Sequence, residues 1–65
     1  MQFTITIKCD NAAFSPDPER EITRILYDVA DRINAKGVHA NGPYRIADLN
    51  GNTVGQFEAT EQVTP

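Results

Sequence analysis

The 65-residue chain has no Trp, one Cys, one His and one Met, and its Gly residues fall singly at 37, 42, 51 and 55. A single Cys excludes an intrachain disulfide framework. One Cys with one His cannot supply the several N and S ligands of a structural zinc site. Dispersed glycines exclude a Gly-rich phosphate loop. No apolar run approaches the ~20 residues that span a bilayer. Met1 to Asp10 lacks a basic segment followed by an apolar stretch, so a secretory leader is not expected. The expectation is a chain without membrane contact in a cytoplasmic setting. Nine acids against six Lys and Arg give a net charge of −3. That balance disfavours nonspecific nucleic-acid binding, which phosphate neutralisation drives.

The length allows one small domain, with little core to hold it. Local patterning must therefore carry much of the specification. Phe3, Ile5, Ile7 and Cys9 alternate with Gln2, Thr4, Thr6 and Lys8. This period of two predicts a half-buried strand over Gln2–Asp10, with Cys9 as a small core residue. Phe14 is the one large apolar residue of the connection after it, placed to plug the edge of the core. Asp17, Pro18, Glu19 and Glu21 carry helix-start chemistry, and Lys36 and Gly37 carry stop chemistry. The helix is expected over Pro18 to about Ala35. Ile22, Ile25, Leu26, Val29 and Ile33 recur at steps of three and four and form one apolar stripe. Arg20, Arg24, Asp28 and Asp31 lie opposite, with Arg24–Asp28 and Asp28–Arg32 as pairs four apart. Tyr27 stands among these charges, outside the stripe.

Asn50-Gly51 between two strand-like runs predicts a hairpin. A two-residue turn would pair Tyr44 with Phe57 and Ile46 with Gly55. A three-residue loop with Gly51 left-handed would pair Ile46 with Val54 instead, and Gly55 is a candidate bulge. Element order is then strand, helix, strand, strand. One apolar stripe can cover one sheet face, which predicts a two-layer α+β domain of β-α-β-β order over residues 1–59. In it, one helix packs on a three-stranded mixed or antiparallel sheet. Residues 60–65 are expected to be a flexible tail. Thr4, Thr6 and Lys8, with some of Arg45, Ala47, Val54 and Gln56, would form the uncovered face.

Chemistry-bearing patterns are few. Asp48, Asn50 and Asn52 alternate like the start of a calcium loop. Thr53 stands where that loop needs Gly, and Ala59 where it needs a bidentate Glu. Cys9 with His39 is the one Cys–His combination, and the inward setting expected of Cys9 argues against it. Asp28 and Asp31 belong to a solvated helix surface, not a concave site. No catalytic residue, metal or cofactor is expected. Two surfaces suit partners: the open sheet face or edge, and the helix around Tyr27, since Tyr beside Arg is common at interface hot spots.

Cys9-Asp10-Asn11-Ala12-Ala13-Phe14 and Asp48-Leu49-Asn50-Gly51-Asn52-Thr53-Val54-Gly55, with the Ile- and Leu-rich helix between them, resemble a group of very short phage, prophage and bacterial proteins over residues 1–58. The resemblance carries no established activity. It implies a phage-type accessory factor in the bacterial host cytoplasm. By analogy, such a factor binds a host or defence protein as an inhibitor, in the manner of an anti-CRISPR protein. The residues expected at such an interface are Asp10, Asn11, Arg20, Arg24, Tyr27 and Asp31. The alternatives are a homo-oligomeric structural module, such as a homodimer, and a nucleic-acid binder, which the charge distribution disfavours.

Overall fold

Alternation, capping and turn chemistry translate directly into elements. The computed structural model describes residues 1–37 and 42–60, so His39 and residues 61–65 lie outside the described residues. The strands are β1 (Gln2–Ile7), β2 (Tyr44–Ala47) and β3 (Thr53–Thr60), and the helix α1 spans Pro18–Lys36. A 3₁₀ turn, Ala12–Phe14, joins β1 to α1. The sheet is antiparallel throughout, in the order β1-β3-β2, with α1 packed on one face. This is the expected β-α-β-β, α+β architecture. Thr60 pairs with Gln2 inside β3 rather than opening a tail.

β1 is shorter than its alternation suggests. It ends at Ile7, although the Lys8 N–H still donates to the Val54 carbonyl at 2.8 Å. Past that point β3 has already begun to turn into its hairpin, so Cys9 and Asp10 have no strand to pair with. Asn11 then caps the 3₁₀ turn, its Oδ1 accepting from the Ala13 N–H at 3.0 Å. Phe14 plugs the core as expected, at 3% exposure.

At the start of α1, Asp17 occupies the cap position but its carboxylate makes no capping bond. Its carbonyl accepts from Arg20 N–H at 3.2 Å. Gly37 ends the helix with φ 76°, its N–H donating to the Ile33 carbonyl. Of the expected stripe, Ile25 and Val29 are buried, and Ile22 and Ile33 pack at its margins. Leu26 departs from the expectation and is 45% exposed. α1 lies nearer β2 and the 3₁₀ turn than β1. The β1-side flank of the stripe therefore overhangs a sheet only three strands wide.

The hairpin combines both expected registers. The Gly51 N–H donates to the Asp48 carbonyl at 3.0 Å, and the Asp48 N–H to the Asn52 carbonyl at 2.9 Å. The loop is therefore three residues long, with Gly51 at φ 87°. A bulge between Ile46 and Ala47 then leaves Val54 unpaired, and the outer pairs become Ile46 with Gly55 and Tyr44 with Phe57. The extra residue turns Val54 into the core, at 6% exposure, instead of onto the open face. Phe57, on the central strand, stacks on Tyr44 at 5.2 Å and meets Phe3 at 6.1 Å between ring centres.

Gly55 sits where β1 passes closest, and a Cβ there would overlap the Thr6 carbonyl oxygen. Gly55→Ala is expected to lower stability by about 1–3 kcal/mol through overpacking against backbone. Gly51→Ala meets nothing within 4 Å and carries the left-handed penalty of about 1 kcal/mol instead. Urea unfolding of both variants checks this, and a larger loss at Gly51 would contradict the close approach.

Candidate functional site

Among the described residues, two acidic side chains are buried, Glu21 at 3% and Asp48 at 4% exposure. A buried carboxylate must be met by donors or by a counter-charge. Both are met here. Arg24 lies one helical turn beyond Glu21, and its Nε and Nη2 donate to the two Glu21 oxygens at 2.8 Å each. Glu21 Oε2 also accepts the Leu49 N–H at 2.9 Å, which ties the first turn of α1 to the β2–β3 loop. Arg24 Nη2 reaches on to the Ala47 carbonyl at 3.2 Å.

Asp48 is held from four directions. Its Oδ1 accepts the Asn50 and Asn52 N–H groups at 2.9 Å each. Its Oδ2 accepts Asn11 Nδ2 at 2.7 Å and Asn52 Nδ2 at 3.3 Å. Asp48, the first of three residues that alternate like calcium ligands, thus closes an Asx-type turn, its carboxylate accepting the Asn50 and Asn52 N–H groups. Among the described residues, no cluster of three or more His, Cys, Asp or Glu is placed to hold a metal ion.

These contacts set the titration. Hydrogen bonding from the Arg24 guanidinium holds the Glu21 carboxyl below its usual range. It outweighs burial, which pushes the other way, and the Leu49 N–H adds to it. For Asp48, burial is the largest single influence and acts upward. The Asn52, Asn11 and Asn50 donors together outweigh it, and the carboxyl also lies below its usual range. Glu21 thus meets three internal donors and Asp48 four.

Beside this network lies a shallow hollow of 280 Å³, lined by Ala13, Pro16, Arg20, Glu21, Leu49 and Asn50. Leu49 is 63% exposed at its rim. No family model, curated protein or solved structure matches the chain. The site must be read from its own geometry.

The six residues expected at an interface do not form one patch. Asp10 is exposed beside the 3₁₀ turn, while Asn11 is half-buried and committed to Asp48 and Ala13. Arg20, Tyr27 and Asp31 are exposed along the outer side of α1, with Tyr27 at 71%. Arg24 borders that side but turns its guanidinium to Glu21, not to Asp28 four residues on. Asp28 pairs with Arg32 at 3.7 Å, as its spacing suggests. Cys9 is half-buried against the core, its Sγ 3.9 Å from the Ile7 carbonyl. Its expected non-partner His39 lies outside the described residues.

Sequence reasoning missed Glu21, Asp48 and Arg32 as organising residues. Arg32 donates to the Arg45 carbonyl at 2.9 Å, and its guanidinium lies 4.8 Å from the centre of the Phe57 ring. The available signal was the three-residue spacing of Glu21 and Arg24, where the four-residue pairing with Asp28 was preferred.

Both depressed carboxyls predict one sign of pH dependence. Their stabilisation is complete above the unfolded carboxylate range and is lost as pH falls below about 4 and on through the folded values. Glu21→Gln is expected to cost about 1.5–3 kcal/mol at pH 7, the range for hydrogen bonds to charged groups, and to flatten the acid limb. Thermal melts at pH 7 and pH 3 measure both effects. An acid limb as steep in the variant as in the parent would contradict the Arg24 clamp.

Proposed function

We propose that the chain is a small non-enzymatic protein-binding factor, and that the outer side of α1 is its contact surface. The observation that carries this reading is Tyr27. A large aromatic side chain stands 71% exposed at mid-helix, beside a 45% exposed Leu26. Exposed Arg20 and Asp31 flank it at seven and four residues' separation, which keeps all three on one side of the helix. An aromatic anchor within a charged rim is the composition of an interface hot spot. Tyr27, Leu26, Thr23 and Ala30 line a shallow depression there, which gives a partner side chain somewhere to seat.

The deeper polar groups do not compete with this reading as chemistry, because Glu21 and Asp48 spend their oxygens on internal donors. The partner class follows from the motif resemblance to phage and prophage accessory proteins: a host or defence protein, inhibited by occupation of its surface in the bacterial cytoplasm. No helix among the described residues is long and apolar enough to cross a membrane.

Affinity capture from a bacterial host should retain a specific protein on the parent chain. Tyr27→Ala should lose it by at least about tenfold in affinity, the scale of a hot-spot truncation. The variant should keep an unchanged melting curve, because Tyr27 lies outside the core. Retention of the same partner by Tyr27→Ala and by Asp31→Arg would remove the helix from the reading.

A further inference from the structure

The two edges of the sheet are not equivalent. On β2, the carbonyls that point away from β3 are covered from the helix, Arg45 O by Arg32 and Ala47 O by Arg24. On β1, the Lys8 N–H donates to β3. Alternation then turns the backbone groups of Thr6 and Thr4 toward β3, and those of Phe3, Ile5 and Ile7 outward. Among the described residues, the bonds made by Arg24 and Arg32 go to Glu21 and to β2, not to the outward groups of Phe3 and Ile5. The Ile7 carbonyl meets Cys9 Sγ at 3.9 Å, a weak contact.

The same side of the molecule also lacks apolar cover. α1 lies toward β2, and Phe3 is 39% and Leu26 45% exposed, while Ile5 and Ile7 are only partly buried. An open strand edge and an uncovered piece of core occur together.

We propose that β1 is a self-pairing edge, and that its occupant is the β1 strand of a second copy, antiparallel about a twofold axis through Ile5. In that register Ile5 faces Ile5 and Phe3 faces Ile7, and each pair exchanges two backbone hydrogen bonds. The side chains on the helix-bearing face are then all apolar. On the opposite face Thr4 meets Thr6, and Gln2 meets Lys8. β1 carries no side-chain charge between Gln2 and Ile7; the nearest side-chain charge, Lys8, falls opposite Gln2, and Met1 with its α-amino group falls opposite Cys9, so no like charges are directly paired. The result is a six-stranded sheet with both helices on one face, each covering the apolar margin the other leaves open. Charge neutrality in register and the self-complementary apolar face favour a second copy over a foreign strand. This surface meets the outer side of α1 at Leu26, while Arg20, Tyr27 and Asp31 lie outside it.

Sedimentation equilibrium of the full chain from about 10 μM to about 1 mM tests it. The parent should reach twice the 7.2 kDa chain mass. Thr4→Lys with Thr6→Lys places like charges opposite each other across the axis. Within one chain, position 4 faces Glu58 and position 6 faces Gln56, so the fold is kept. This pair should weaken the dimer by at least about tenfold with an unchanged far-UV spectrum. Thr4→Lys with Thr6→Glu brings opposite charges together and should retain it. A parent chain monomeric throughout would overturn the proposal, as would a dimer insensitive to both pairs or one broken by Tyr27→Ala instead. Failure of the parent chain to capture any partner, or capture unaffected by Tyr27→Ala, with the dimer intact would speak against the helix surface alone.

Discussion

The Glu21 carboxylate, gripped by Arg24 and by the Leu49 N–H, joins the start of the helix to the tip of the hairpin. These two parts of the chain are separated by 28 residues. The aliphatic core is small: Phe14, Ile25, Val29, Ile46, Val54 and Phe57. Such a core favours burial of the helix stripe but is a poor guide to how the helix lies across three strands, because dispersion and hydrophobic contact have little direction. A buried anion has direction. It excludes arrangements in which its donors are missing, at a desolvation cost larger than most aliphatic mispackings. Arg24 carries the constraint from the helix to the Ala47 carbonyl, and Asp48 carries it through Asn11 to the turn after β1. The polar network thus indexes the elements, while the apolar stripe drives them together.

This division explains what was legible in the sequence. Alternation in β1, the helix stripe and Asn50-Gly51 report local geometry, and each yields its element. Both hairpin registers were visible in the sequence. Choosing between them required knowing that Asp48 would form a three-residue loop and that a bulge would then recover the other register. Leu26 was misplaced because periodicity assigns a residue to a helix face, not to the breadth of the sheet beneath it. Glu21 was misread because a Glu in the first turn has a sufficient local reason in the helix dipole. Its deeper role depends on Leu49, a contact that no local pattern encodes. Asn11 is similar: polar and placed in a connection, it suggests a surface group, yet its side chain bridges Ala13 and Asp48.

The motif segments therefore have firm structural work, and their presence does not by itself mark a functional surface. Cys9 to Phe14 supplies a core contact, a cap and a plug. Asp48 to Gly55 supplies the loop, the bulge and the close approach to β1. The residues without internal duties lie elsewhere, on the outer side of α1 and along the margin of β1. In a chain this short, separation of structural from contacting residues is a physical necessity.

The arginine cover on β2 has a further consequence for assembly. A sheet with two receptive margins can add copies at both ends without limit, and the product is a filament. Arg24 and Arg32 occlude one margin from within the same chain, so growth by strand addition could proceed from one side alone. Union through that side uses it up in both participants and leaves a capped object of fixed size. Two guanidinium groups would thereby set a ceiling on polymerisation.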